Sequence, residues 1–208
     1  ANVITTLENY NTSTLQKFDS VFRYSKVVKL IDDTDASILS NISTIQMRKS
    51  LTPTLNSSLK YNVYFRNALY NPHTGHNSTS GGILKSTGFK VSGNTNEHFL
   101  DDDGNGNVRA YYLSGATRVY SNSTQGTIDY STGAITINSL QVTEISNIRG
   151  SASSVIELTV QPSSNDIVPV RDQIIELDIA NSTITVEKDT FVAGSSDAGV
   201  GYSTTSAY

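Results

Sequence analysis

Residues 14–51 read TLQKFDSVFRYSKVVKLIDDTDASILSNISTIQMRKSL, and the periodicity changes within them. Val27, Val28 and Ile31 fall on one side of a helical wheel behind Ser25, a residue suited to cap a helix N-terminus. Asp32, Asp33 and Asp35 then place negative charge where the helix macrodipole disfavours it, so the spacing predicts a short helix that stops near Asp35. From Ile38 the sequence becomes β-branched. Ile45, Met47 and Leu51 alternate with Thr44, Gln46 and Arg48, the period-2 pattern of a half-buried strand, which predicts a strand over 38–51.

Upstream, Ile4, Leu7, Leu15 and Phe18 recur at near-helical spacing until Tyr10-Asn11-Thr12-Ser13 interrupts them, so a first helix is expected to end near Asn11. Downstream, Thr52-Pro53-Thr54 and Asn56-Ser57-Ser58 form a turn-rich join. Beyond it, Leu59, Tyr61, Val63 and Phe65 alternate with polar residues, and short strands are predicted at 83–91, 108–113, 117–120, 126–130, 134–138, 155–160, 174–179 and 184–187. Residues 128–137, IDYSTGAITI, are two alternating runs around a short loop in which Gly133 can take the left-handed position of a bulged hairpin. The fold class expected is α+β: an N-terminal two-helix plus strand module, 1–54, then an antiparallel β-rich, sandwich-like domain, 55–190. Residues 191–208 turn to Gly, Ser, Thr and Ala, the composition of a C-terminal arm.

The phrase FRYSKVVKLID, followed by SILSN and a long alternating strand, resembles the C-terminal part of the baseplate wedge subunit of T-even-like contractile-tailed phages, in the baseplate J-like family. The resemblance covers roughly the first third of the chain, and IDYSTGAITI also looks like tail-protein sequence. It implies a structural virion protein of the tail baseplate, made in the host cytoplasm. It also implies a protein that acts through interfaces with other wedge subunits and with itself as a two-fold homodimer.

Composition narrows the chemistry. The 208 residues contain no cysteine, which removes disulfides, thiolate metal sites and cysteine nucleophiles. A net charge of −4 with singly scattered Lys and Arg gives no electrostatic footprint for nucleic acid. No apolar run approaches the roughly 20 residues of a membrane span. The chain opens at Ala1 inside a helical pattern, so it reads as a fragment of a longer protein. Sequons begin at Asn11, Asn41, Asn56, Asn77, Asn122 and Asn181, as a sequence rich in Asn, Ser and Thr produces by composition.

Asp101, Asp103 and Asn105, with Gly106, match the opening of a calcium loop, but Tyr112 stands where the bidentate Glu belongs, and an ordinary turn is the simpler reading. His73 and His76 form an H-x-x-H in a Pro/Gly-rich loop over 70–82 and lack a third ligand, His98 being the remaining histidine. Tyr111, Tyr112, Tyr120 and Tyr130 form an aromatic series better explained by cross-strand packing than by base stacking. No nucleophile elbow or phosphate loop is present.

The expectation is therefore a non-enzymatic structural protein with no cofactor, metal or small-molecule substrate, and with no nucleic acid or membrane partner. The competing class is a β-sandwich module for carbohydrate or a receptor, with calcium at the 101–107 turn. Phe191, Val192, Val200, Tyr202 and Tyr208, the sizeable apolar groups of the arm, are the expected interface residues.

Overall fold

A computed structural model describes residues 2–170 and 173–187. The chain divides into two units, Ala1–Leu177 and Asp178–Tyr208.

In the first unit, helix α1 (Asn2–Tyr10) runs into a π-helical turn over Asn11–Leu15. The interrupting residues explain the widening, because the Thr12 hydroxyl donates back to the carbonyls of Glu8 at 3.0 Å and Asn9 at 3.3 Å. Leu15 is thereby carried to full burial, and Leu7, Tyr10, Phe22 and Val27 are buried as well. Helix α2 (Tyr24–Asp32) starts two residues earlier than a Ser25 cap requires, with Arg23 in the cap position. Its cap comes from far along the chain: Tyr24 N–H donates to Asp166 Oδ1 at 2.8 Å, while Arg23 pairs with Asp166 Oδ2 at 2.8 Å. Phe22 and Ile167 exchange backbone hydrogen bonds of 2.9 and 3.0 Å, and Leu177 N–H donates to Asn11 Oδ1 at 2.8 Å. Asp166, Ile167 and Leu177 thus contact the helical segment, and the strand predicted at 174–179 is not formed: residues 174–178 are irregular and Ile179 begins a 3-10 turn.

The strand expected over 38–51 is paired only in its last part, β1 (Met47–Leu51). Strands β2 (Ser58–Tyr64), β3 (Lys85–Ser86), β4 (Phe89–Val91), β5 (Asn94–Asp102), β6 (Asn107–Ser114), β7 (Thr117–Asp129), β8 (Ala134–Ile145) and β9 (Ile156–Val160) come after it. Every strand pair among the described residues is antiparallel. They form a three-stranded sheet, β1-β9-β3, and a six-stranded one, β2-β8-β4-β5-β6-β7.

Strand β8 also pairs with β7, so β8-β4-β5-β6-β7 closes on itself as a small barrel with β2 added along β8. The sandwich-like arrangement expected from the sequence is replaced by this closure, which removes open edges among the five barrel strands and leaves β1, β2 and β3 at edges. Ser139 makes it possible: its φ of 47° bulges β8. The half before the bulge, at Ala134–Ile137, pairs with β7, and the half after it, at Val142–Ile145, pairs with β4. The single strand predicted at 83–91 is split for a related reason. Lys85 and Ser86 pair with β9 in one sheet and Phe89 with β5 and β8 in the other, so the chain changes sheets at Thr87-Gly88.

Phe89, Leu100, Val108, Ile135, Ile137 and Val142 fill the core, and Ile156, Leu158 and Val160 of β9 are equally buried. Glu157, on the opposite face of β9, is held by Arg48 and by Arg149 at 2.8 Å. Burial alone would raise its carboxyl pKa, but the two guanidinium groups outweigh that and hold it below the usual range.

The predicted hairpin is present, with Asp129 opposite Ala134 and Gly133 at φ 70°. A Cβ at Gly133 would lie 2.4 Å from the Asn67 carbonyl oxygen, so backbone strain and collision act together. Gly133→Val is expected to lower stability by about 2 kcal/mol or more, read from the urea midpoint. An unchanged midpoint would count against the turn geometry.

In the second unit, Ile179–Asn181 is a single 3-10 turn whose Asn181 amide donates to Asp178 at 2.7 Å. Residues 184–187, also predicted as strand, are irregular.

Candidate functional site

The acidic run of the sequence lies at the end of β5, where alternation sends Asp101 and Asp102 to opposite faces. Both are almost fully buried. On one face, Asp101 Oδ1 accepts from Arg109 Nε at 2.9 Å, and Oδ2 accepts from Arg118 Nη1 at 2.6 Å and from the Tyr120 hydroxyl at 2.9 Å. Arg109 goes on to donate to the carbonyls of Ser78 at 2.7 Å and Asp102 at 2.9 Å. On the other face, Asp102 Oδ1 accepts from Leu84 N–H at 2.7 Å and Oδ2 from the Tyr130 hydroxyl at 2.6 Å. Burial, then that hydrogen bond, pushes the Tyr130 phenol well above its ordinary range. Asp103 closes the turn, accepting from the backbone N–H groups of Asn105 and Asn107 at 2.8 and 3.0 Å.

These contacts give Asp101, Asp103 and Asn105 the roles of a turn and its anchors, in line with the turn reading. Asp101 points at two guanidinium groups, and Asp103 is spent on its own turn. Among the described residues, no group of three or more His, Asp or Glu side chains could hold a metal ion. The run is a latch: the loop over 70–82 is fastened to the barrel through Ser78, Gly82 and Gly75, whose N–H donates to the Gly104 carbonyl at 3.1 Å. A Cβ at Gly104 would lie 2.4 Å from the His76 backbone nitrogen, which is why glycine stands there. Beside the latch is an open depression of about 460 Å³, lined in part by Asn71, Thr74, Asn105, Asp129 and Ser131.

His73 and His76 stack edge to face with ring centres 4.9 Å apart, and Nε2 of His73 lies 3.2 Å from Nδ1 of His76. They form a solvent-facing loop cluster together with Tyr70. His98 is completely buried against Phe89 and Tyr112, and its Nδ1 lies 2.8 Å from the Asn96 carbonyl oxygen.

The tyrosines pack across strands as expected: Phe99, Tyr111 and Tyr120 form a ladder with ring centres 5.7 and 5.8 Å apart. Sequence reasoning missed the interleaved cations. Arg109 lies 4.2 Å over Tyr120, and Arg118 lies 4.6 Å over Tyr111. The only signal for them was the register of β5, β6 and β7, which sets Asp101 opposite Arg109 and Tyr111 opposite Tyr120.

Asp129, at the neighbouring hairpin, accepts from the hydroxyls of Ser131 and Thr132 at 2.6 Å each and from Ser131 N–H at 2.9 Å. These bonds hold its carboxyl at about 2. Its folded pKa lies below the unfolded value of about 3.9, so its contribution is complete above that pH and is lost as pH falls toward 2. The thermal midpoints of the parent and Asp129→Ala should therefore differ at pH 7 and converge between about pH 4 and 2, by a modest amount because the carboxylate is exposed. A gap that stays constant across that range would contradict it.

Phe191, Val192, Val200, Tyr202 and Tyr208, the expected interface residues, lie outside the described residues. Exposed large apolar groups do occur near the N-terminus: Phe18 is 76% exposed, Leu39 79% and Ile42 100%. No helix among the described residues is long and apolar enough to cross a membrane.

Residues 1–50, which hold both helices and most of β1, match the family model described as baseplate structural protein gp6, C-terminal domain III. No curated protein matches the chain. The match covers 50 of the 208 residues and supports a phage baseplate structural protein, placed in the tail baseplate of the virion and interacting with other baseplate proteins.

Proposed function

We propose that this chain is part of a wedge subunit of a contractile phage tail baseplate, of the J-like family, and that it works through protein–protein interfaces rather than catalysis. The observation that carries this reading is the match of residues 1–50 to a baseplate structural domain. The exposed Leu39 and Ile42 within that same region agree with a surface built to be covered. The functional division is 1–54 as the end of a J-like domain, 55–190 as a β-rich domain and 191–208 as a contact arm. Its partners are other wedge subunits and a second copy of itself, paired about a two-fold axis.

Sedimentation equilibrium at micromolar concentration tests the pairing: the expected result is a dimer, and a strictly monomeric chain would refute it. Truncation after Thr190 is expected to weaken the dimer while leaving the far-UV circular dichroism nearly unchanged. Undiminished affinity in the truncated chain would remove the arm from the contact.

A further inference from the structure

Residues 38–46 have the sequence of a strand and, among the described residues, no strand partner. Asn41 Nδ2 donates to the Val28 carbonyl at 3.0 Å and to Asp32 Oδ1 at 2.7 Å, and the Ser43 carbonyl accepts the Tyr24 hydroxyl at 3.0 Å. The segment therefore runs back along α2, from its C-terminal end toward its start. Residues 41, 43 and 45 are half-buried and 42, 44 and 46 exposed, the alternation of an extended strand with one face covered. Among the described residues, no backbone N–H or C=O of residues 39–45 meets another backbone group. The segment leads directly into β1, which is itself an edge strand because β9 pairs it on one side only.

Edge strands of soluble proteins are normally blunted by charge, proline or bulges. Residues 36–47 contain neither charge nor proline, and Ile42 and Leu39 stand open. The run has acidic residues on its N-terminal side, Asp32, Asp33 and Asp35, and basic residues on its C-terminal side, Arg48 and Lys49. This order is self-complementary when two copies run antiparallel. With Ile42 on the two-fold axis, Leu39 falls opposite Ile45, and the acidic turn that ends at Asp35 comes to the side of the partner copy's basic end at Arg48 and Lys49. A parallel pairing would instead bring like charges together at both ends.

We infer that the extended segment over 38–46 is the self-pairing edge of this protein, joining a second copy by antiparallel strand addition centred on Ile42. The inference rests on the two-fold pairing proposed above and specifies its surface. Main-chain hydrogen bonds supply the attraction, the charged flanks favour the antiparallel direction over the parallel one, and α2 backs the segment on one face.

The absence of cysteine makes the test direct. In the full chain, Ile42→Cys introduces a single thiol that lies opposite its own copy across the axis. Directly opposed strand residues have Cα atoms about 4.5–5.5 Å apart, within disulfide range. Mild oxidation should link Ile42→Cys dimers at least about tenfold faster than Ser123→Cys, an exposed control in β7. Ile42→Lys, which sets two like charges on the axis, should weaken the dimer by about tenfold or more, and since Ile42 is fully exposed the fold is not at risk. A parent dimer that is indifferent to Ile42→Lys, with Ile42→Cys linking no faster than the control, would overturn this surface and leave the two-fold pairing standing. A parent chain that stays monomeric would overturn both.

Discussion

Asp101→Ala is expected to cost about 3 kcal/mol of folding stability, lowering the urea midpoint by roughly 1–2 M. The reason lies in the groups that the substitution leaves behind. Arg109 is nearly buried, and its Nε would lose the one anionic partner it has in the latch, retaining only the Ser78 and Asp102 carbonyls. The Tyr120 hydroxyl would lose its acceptor as well. Removing one member of a buried pair typically costs about 3–5 kcal/mol, and the two surviving carbonyl contacts put this case at the lower end. Arg118→Ala supplies the contrast: its side chain is 29% exposed, so solvent compensates and the cost should be about 1 kcal/mol or less. Equal small effects from both variants would mean that the Asp101 network adds nothing beyond surface pairing. A thermal shift on adding calcium to the parent would separately contradict the latch, since the guanidinium groups of Arg109 and Arg118 on Asp101 oppose a cation there.

How far the sequence could be read depended on whether a signal was local. The two helices were legible because Val27, Val28 and Ile31 carry the helical period within one turn or two. The hairpin at Gly133 was legible because its turn chemistry is contained in a few residues. The cap of α2 was not: Ser25 looked suitable, yet the acceptor is Asp166, a remote contact that no window of sequence contains. The breaks at Thr87-Gly88 and Ser139 were hidden for the same reason, since a strand that changes sheets or bulges keeps its alternation. Alternation cannot distinguish a sandwich from a barrel, because both need one buried face; only β8 pairing with β7 and β4 together decides it. The acidic turn was visible as a cluster, but its role depended on Arg109 and Arg118, which reach it through the register of neighbouring strands. The failure at 38–46 is of another kind. The sequence states a strand, the described residues leave it unpaired, and the self-pairing inferred above would account for both.

The barrel seam gives the second large effect, at Gly126. This residue is paired on both sides, with Val108 of β6 and Ile137 of β8, so its strand cannot move away from either neighbour without opening the barrel. A Cβ built there would lie 1.9 Å from the Thr136 carbonyl oxygen and 3.0 Å from the Ile137 Cα, both of them backbone atoms. Backbone collisions cannot be relieved by a rotamer change, and the adjoining Ile135 and Ile137 are fully buried, which leaves no slack inside the core. Gly126→Ala should therefore cost about 3 kcal/mol, and Gly126→Val more than that, at the large end of single substitutions. Even a valine-like gain in β propensity, worth about 1 kcal/mol at most, is too small to offset it. The expected result is a Gly126→Val chain that is largely unfolded or aggregated at 37 °C, with Gly126→Ala folded but shifted to a clearly lower urea midpoint. An alanine variant with the parent's midpoint would show that β7 and β8 do not approach each other this closely, and the closed barrel would then have to be an open sheet at that seam.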